Sequence, residues 1–150
     1  WSPAASQYVA RVMAALGGSE ADEPAGEEAR HYSEQSSTIT YAGSWDEARY
    51  SGYTGGKVRY ATLAGDSAAI TFSGSRIAWY GPVGPTRGKA RIIVDGVAVK
   101  TIDLARSSFR PRALLYSQSW DTAGHHELII EVLATRGHKL VAIDELVVTP

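Results

Sequence analysis

From about residue 31 the chain alternates apolar and polar positions with the period of two that a half-buried β-strand imposes. Ile70 and Phe72 fall on one face, as do Leu128, Ile130 and Val132, and again Val141, Ile143 and Val147. The pattern predicts strands over 37–42, 57–63, 68–73, 76–80, 89–94, 97–104, 112–120, 125–133 and 140–148. Turn signals separate several of them, at Ser73-Gly74, Asp95-Gly96, Ala123-Gly124 and Arg136-Gly137. Asp95-Gly96 is the strongest hairpin signal, because it sits between alternating runs and both residues tolerate positive φ. About nine strands with no convincing helix between them indicate an all-β, two-sheet antiparallel sandwich. Residues 43–56 break the pattern as a long connection, yet they carry three aromatics, Trp45, Tyr50 and Tyr53.

Before residue 31 the period is different. Tyr8, Val9, Val12, Met13 and Leu16 fall on one face at helical spacing, with Ser2 and Pro3 as a start signal and Gly17-Gly18 as a stop. Residues 17–30 are rich in charge, Gly and Pro, which is linker composition. The expected layout is a short N-terminal helix over 1–16, an acidic linker over 17–30 and the sandwich over 31–150. The helix is either the end of a preceding domain or a helix that docks on the sandwich. A chain opening on Trp1 reads as part of a larger multidomain protein.

Composition removes several function classes. The formal net charge is -1 over 150 residues, without the basic excess of a nucleic-acid binder. There is no cysteine, so disulfides, thiolate zinc sites and cysteine nucleophiles are excluded. No apolar run has the length of a membrane span. His125 and His126 are adjacent, so in a strand they face opposite sides and do not readily share a metal. No Gly-x-Ser-x-Gly elbow is present, and Gly81-Pro82-Val83-Gly84-Pro85 lacks the Lys-Ser/Thr ending of a phosphate loop.

The ordered motifs carry a resemblance. Gly43-Ser44-Trp45 is followed by Gly55-Gly56, Phe72-Ser73-Gly74, Trp79-Tyr80-Gly81-Pro82, Arg87-Gly88, Val94-Asp95-Gly96, Ile102-Asp103-Leu104, Ala123-Gly124-His125 and Ile143-Asp144-Glu145-Leu146-Val147. Over residues 32–149 this resembles the jelly-roll modules of galactose-binding-domain-like fold, and is similar to bacterial, often actinobacterial, carbohydrate-binding accessory modules. The resemblance implies a jelly-roll β-sandwich, a secreted or cell-surface parent protein and a polysaccharide or glycan as partner. It also implies a structural Ca²⁺ held by an early Glu and a late Asp, whose matching positions are Glu34 and Asp144. Two carboxylates alone do not define such a site, because calcium takes six to eight oxygens.

A sugar ring stacks its C–H face on an aromatic ring and needs fixed polar partners for its hydroxyls. On that chemistry the candidate ligand-binding residues are Trp45, Tyr53, Arg59, Tyr80, Arg87 and Trp120. Each has a competing structural role. Trp45 and Tyr53 either contact ligand or fold back into an aromatic cluster of their own loop. Trp79 reads as core, and Tyr80 then points the opposite way. Trp120 either caps the core or stands at a rim. Arg87 either forks to hydroxyls or a carboxylate, or braces its loop through backbone carbonyls. The leading expectation is a non-catalytic module that tethers a larger protein to polysaccharide. The alternative is a structural or protein-interaction sandwich with no sugar ligand. An enzyme would need a second acid facing Asp46 or Glu47 across one cleft.

Overall fold

The structure is a computed structural model that describes residues 28–150. The expected helix over 1–16 and all but the end of the expected linker lie outside the described residues. The described part is all-β. Its strands are β1 (Arg30–Ser33), β2 (Ile39–Ala42), β3 (Asp46–Arg49), β4 (Lys57–Ala61), β5 (Ser67–Val83), β6 (Lys89–Val94), β7 (Val97–Asp103), β8 (Arg110–Val132), β9 (Val141–Ile143) and β10 (Glu145–Thr149). They form two antiparallel sheets. The smaller runs β9-β4-β3, and the larger runs β1-β10-β5-β8-β6-β7, with β2 also paired to β5.

The alternating apolar positions dictate which face is inside. In the first half of β5, Ala68, Ile70 and Phe72 are buried while Thr71 and Ser73 are exposed. Ile92 and Val94 of β6, with Leu128, Ile130 and Val132 of β8, meet them in one core. Trp79 sits in that core with no exposed surface, as alternation predicts, beside Ile77, Ile143 and Leu146. Its burial, with that of its neighbours, supplies the hydrophobic drive for the sandwich.

Four strand predictions merge into two. The stretches expected over 68–73 and 76–80 are one strand, β5, and those over 112–120 and 125–133 are one strand, β8. Ser73-Gly74 and Ala123-Gly124, read from sequence as turns, are bends inside the paired strands. Gly74 pairs directly with Gly124, and the register shifts between Gly74 and Arg76. Two facing glycines let both strands bend together, and the register break accommodates the corner. A Cβ on Gly74 would lie 2.5 Å from the carbonyl oxygen of Thr149, so the corner also needs a residue without a side chain. Asp95-Gly96 is the turn it was expected to be, with φ of 51° and 82°. The strand expected over 140–148 is split at Asp144, which leaves β9 in the small sheet and β10 in the large one. Two further strands, β1 and β3, fall where no strand was expected. β3 lies inside the supposed loop 43–56 and pairs with β4 in the register Asp46↔Tyr60 to Arg49↔Lys57.

Candidate functional site

The seam between the sheets places the chemistry. After β3, the chain turns through Tyr50–Tyr53 into a single 3₁₀ turn, Thr54–Gly56, before β4 begins. Gly52 allows this loop to lie against the side chain of Pro111, at the start of β8, and against the ring of Tyr50. The segment between β7 and β8 then brings in Phe109. Tyr50 and Phe109 stand edge to face at 5.5 Å, and Tyr53 completes the trio at 5.5 Å from Tyr50 and 6.4 Å from Phe109. Tyr50 is 50% exposed and Phe109 42%, whereas Tyr53 is only 8% exposed. The surface therefore carries two aromatic rings, supported from beneath by a third.

One arginine contacts this trio and a second ties down the loop beside it. Arg87 is buried, with its guanidinium 5.7 Å from the Phe109 ring and a long bond of 3.5 Å donated to the Tyr53 hydroxyl. Its Nε has no partner among the described residues, so ring faces rather than carboxylates meet the charge. Gly88 follows in a tight place, where a Cβ would overlap the carbonyl oxygen of His138. Arg112 is the second. Its Nε donates to Thr54 Oγ1 at 2.8 Å, one terminal nitrogen donates to Glu145 at 2.6 Å, and the guanidinium lies 4.0 Å from the Tyr80 ring centre. One side chain thus ties the loop after β3 to β10 and to Tyr80. Glu145 also receives His31 at 2.7 Å on its other oxygen. Burial alone would raise the Glu145 pKa, but the bonds from Arg112 and His31 outweigh it and hold the carboxyl below its ordinary value.

Beside Glu145, Asp144 is fully buried. Its Oδ2 accepts the Thr54 amide at 2.9 Å, and its Oδ1 has no partner among the described residues. Glu34 is also buried, at 4% exposed. Desolvation pushes both pKa values up; the charge of Asp144 adds to the rise at Glu34, and that of Glu145 adds to the rise at Asp144. An unpartnered buried carboxylate oxygen is the kind of donor a hard cation satisfies, but Asp144 and Glu34 supply only part of the six to eight oxygens that calcium takes. Among the described residues no third acidic or imidazole side chain converges there. A cation would therefore draw its remaining oxygens from backbone carbonyls and water.

The structure thus separates the six sequence candidates into three groups. Tyr53 and Arg87 join the Tyr50–Phe109 surface in supporting positions, and Tyr80 is linked to the Thr54 turn only through Arg112. Tyr53 and Arg87 are buried, and Tyr80 has one ring face covered by Arg112. Trp45 and Arg59 form a second group around Tyr41, with the indole 5.0 Å from that ring and the guanidinium 5.0 Å from it. Trp45 Nε1 donates to the Ala42 carbonyl at 3.0 Å, so this indole is committed to its own turn. Trp120 belongs to a third group, stacked on His126 at 3.7 Å and near Phe72 at 6.0 Å. His126 in turn bonds Asp95 at 2.8 Å. Phe109 and Arg112 escaped the sequence reading. Phe109 lies in a connector without alternation, and only the clustering of Arg106, Arg110 and Arg112 around it marks the segment.

No protein-family model matches the chain. It is 29% identical over 92 residues to an A type blood alpha-D-galactosamine galactosaminidase of Flavonifractor plautii, a match that covers 61% of this chain and 8% of that protein. The chain thus spans less than a tenth of that relative's length. Among solved structures, it superimposes on a family two carbohydrate esterase from Cellvibrio japonicus with a TM-score of 0.61 at 16% identity, over 81% of this chain and 33% of that one. A family 35 carbohydrate binding module from an environmental isolate gives 0.59 at 14% identity, over 81% of this chain and 97% of that one. The CBM36-1 domain of a multidomain xylanase from the hindgut metagenome of Trinervitermes trinervoides gives 0.55 at 15%, over 82% and 98%. The two modules are matched over nearly their whole length, and the likeness shows the fold: this chain has the galactose-binding-like jelly-roll architecture found in carbohydrate-binding modules.

Proposed function

We propose that this chain is a non-catalytic carbohydrate-binding module that tethers a larger secreted or surface protein to polysaccharide. The observation that carries the reading is the exposed Tyr50–Phe109 pair, seated at the junction of two loops and stiffened from behind by Tyr53, Arg87 and Arg112. Rings held in one orientation lose little freedom when a sugar stacks on them, which suits an open site of modest affinity. The likeness to whole carbohydrate-binding modules supports the same reading. Tyr53 and Arg87, expected from sequence to touch the ligand, act here as supports for the two rings that do, while Tyr80, also expected to touch it, stands against Arg112. Trp45, Arg59 and Trp120 stand in other clusters and are assigned no part in this surface. Glu34 and Asp144 would hold a structural Ca²⁺ beneath the Thr54–Gly56 turn, neutralising two buried carboxylates and fixing the loop that carries Tyr50. The chemistry such an ion supplies is charge compensation.

A glycan array tests the reading, and should include xylan and galactosamine-bearing glycans, the sugars that the names of the similar proteins suggest. Binding by the wild type that is lost in Tyr50→Ala and Phe109→Ala is the expected result. Binding that survives both substitutions removes this surface from the function. The second reading, a structural module with no sugar ligand, draws on the packing of the sequence-predicted aromatics: Tyr53 is buried, and Trp45 and Trp120 are both engaged with neighbouring rings. That reading expects no glycan of the array to bind.

A further inference from the structure

The segment that presents Phe109 to the aromatic surface also lines a separate cleft of about 360 Å³ between the end of β7 and the start of β8. Val83, Leu104 and Leu115 give the cleft apolar lining, and Val83 and Leu104 are buried. Arg106, Ser107, Ser108 and Arg110 line it as well. The volume falls within the range of small-ligand sites, and the mixture of apolar lining with a few polar groups is their usual make-up. From Leu104 to Trp120 the chain has three arginines and no acid, within a protein of net charge -1. Of these, Arg112 is engaged by Glu145 and Thr54, and Arg106 donates to the backbone carbonyls of Asp103 and Ala105. Arg110, Ser107 and Ser108 have no side-chain partner among the described residues. The nearest acid in sequence, Asp103, accepts the Ala105 amide and does not line the cleft.

From this arrangement we infer that the cleft takes an anionic substituent of the glycan, a sulfate ester or a carboxylate. Two arginines and two serines line it with no carboxylate among them, and Arg110, Ser107 and Ser108 have donors to spare, which is the chemistry that recognises an oxyanion. Phe109 sits between Ser108 and Arg110 in sequence, so the short segment that carries one ring of the aromatic pair also carries polar residues of the cleft. The inference deepens the carbohydrate-binding reading and rests on it for the ligand's sugar part. The cleft itself is tested separately.

The test is affinity electrophoresis at low and at physiological salt in three polymers: neutral agarose, sulfated carrageenan and carboxylated polygalacturonate. One of the two anionic polymers should bind roughly tenfold more tightly than the neutral one, and which of them does so identifies the substituent. Arg110→Gln, whose side chain braces nothing, should remove that preference while leaving the melting temperature and any neutral binding unchanged. Arg136→Gln, an exposed arginine in the turn before β9, should leave the preference intact and so exclude general charge attraction. Equal binding of anionic and neutral polymers, or a preference that Arg110→Gln leaves untouched, overturns the inference. Those outcomes are independent of the aromatic reading, which fails instead when Tyr50→Ala and Phe109→Ala leave glycan binding as it was.

Discussion

Truncating the two exposed rings gives the sharpest test of the proposed surface. A large aromatic side chain carries roughly 200 Å² of surface. At 50% and 42% exposure, Tyr50 and Phe109 leave roughly 100 and 80 Å² in water. A sugar that covers about half of one ring removes roughly 45 Å² of it and a similar area of its own C–H face, so the transfer gain is about 2 kcal/mol per ring. Ordering the ligand cancels part of this, and each alanine substitution should cost about 1 to 1.5 kcal/mol, a five- to twelvefold rise in Kd. The rings touch at 5.5 Å, so the double variant should lose less than the product of the two single losses. Each ring also buries roughly 100 Å² against Tyr53 and its neighbours, so each substitution should lower stability by about 2 to 3 kcal/mol as well. Isothermal titration with the best glycan of the array gives the affinities, and a thermal melt gives the stability. Tyr53→Phe is the matched control: it removes only a hydroxyl that accepts one long bond from Arg87, and binding should stay within about twofold. If Tyr50→Ala and Phe109→Ala bind as the wild type does while Tyr53→Phe does not, the argument from exposure is wrong.

Other parts of the structure carry their own expected outcomes. Gly88→Ala would drive a methyl group into the His138 carbonyl and break the bonds that Gly88 makes to Leu140 and Leu104; a loss of about 3 kcal/mol, roughly 10 °C in Tm, is expected by calorimetry. Calcium at about a hundred times its Kd should raise Tm by roughly 10 °C, reversed by a chelator. Glu34→Gln should abolish that response yet leave the metal-free protein as stable as the wild type or more so, because it removes one of two buried like charges. Asp95 has its pKa held down by the bond from His126 and by the Glu127 amide. Its contribution to stability is therefore present above the unfolded carboxylate pKa and disappears as pH falls through the lower folded value. Asp95→Asn should melt below the wild type at pH 7, with the gap closing as pH falls below the ordinary aspartate value, and a gap of unchanged size would refute the linkage.

The sequence made the sandwich legible wherever one face of a strand is buried and the other is wet. Ile70 and Phe72, or Leu128, Ile130 and Val132, announce their face because a slip of one residue would expose all of them. The same logic fails at β1 and β3. Their burial is slight, so Arg30–Ser33 and Asp46–Arg49 show no apolar alternation, and only their partners β10 and β4 reveal them. It fails differently at Gly74 and Gly124. A glycine reads as a turn from composition, but two glycines facing each other across a ladder serve equally to bend a continuous pair, and sequence does not say which residue faces which. The surface chemistry was least legible for a related reason. Tyr53 and Tyr50 stand three residues apart in one loop, yet one is buried and the other half exposed, and the difference is set by Phe109 and Arg87 from distant segments. Arg112 is the clearest case. Nothing local distinguishes it from Arg106 or Arg110, and its role as a clamp comes from Thr54 and Glu145, 58 positions before it and 33 after it. A binding surface assembled from separate loops is written in the contacts among them. Residue type names the candidates, and the fold alone decides which ring meets the solvent and which one holds it there.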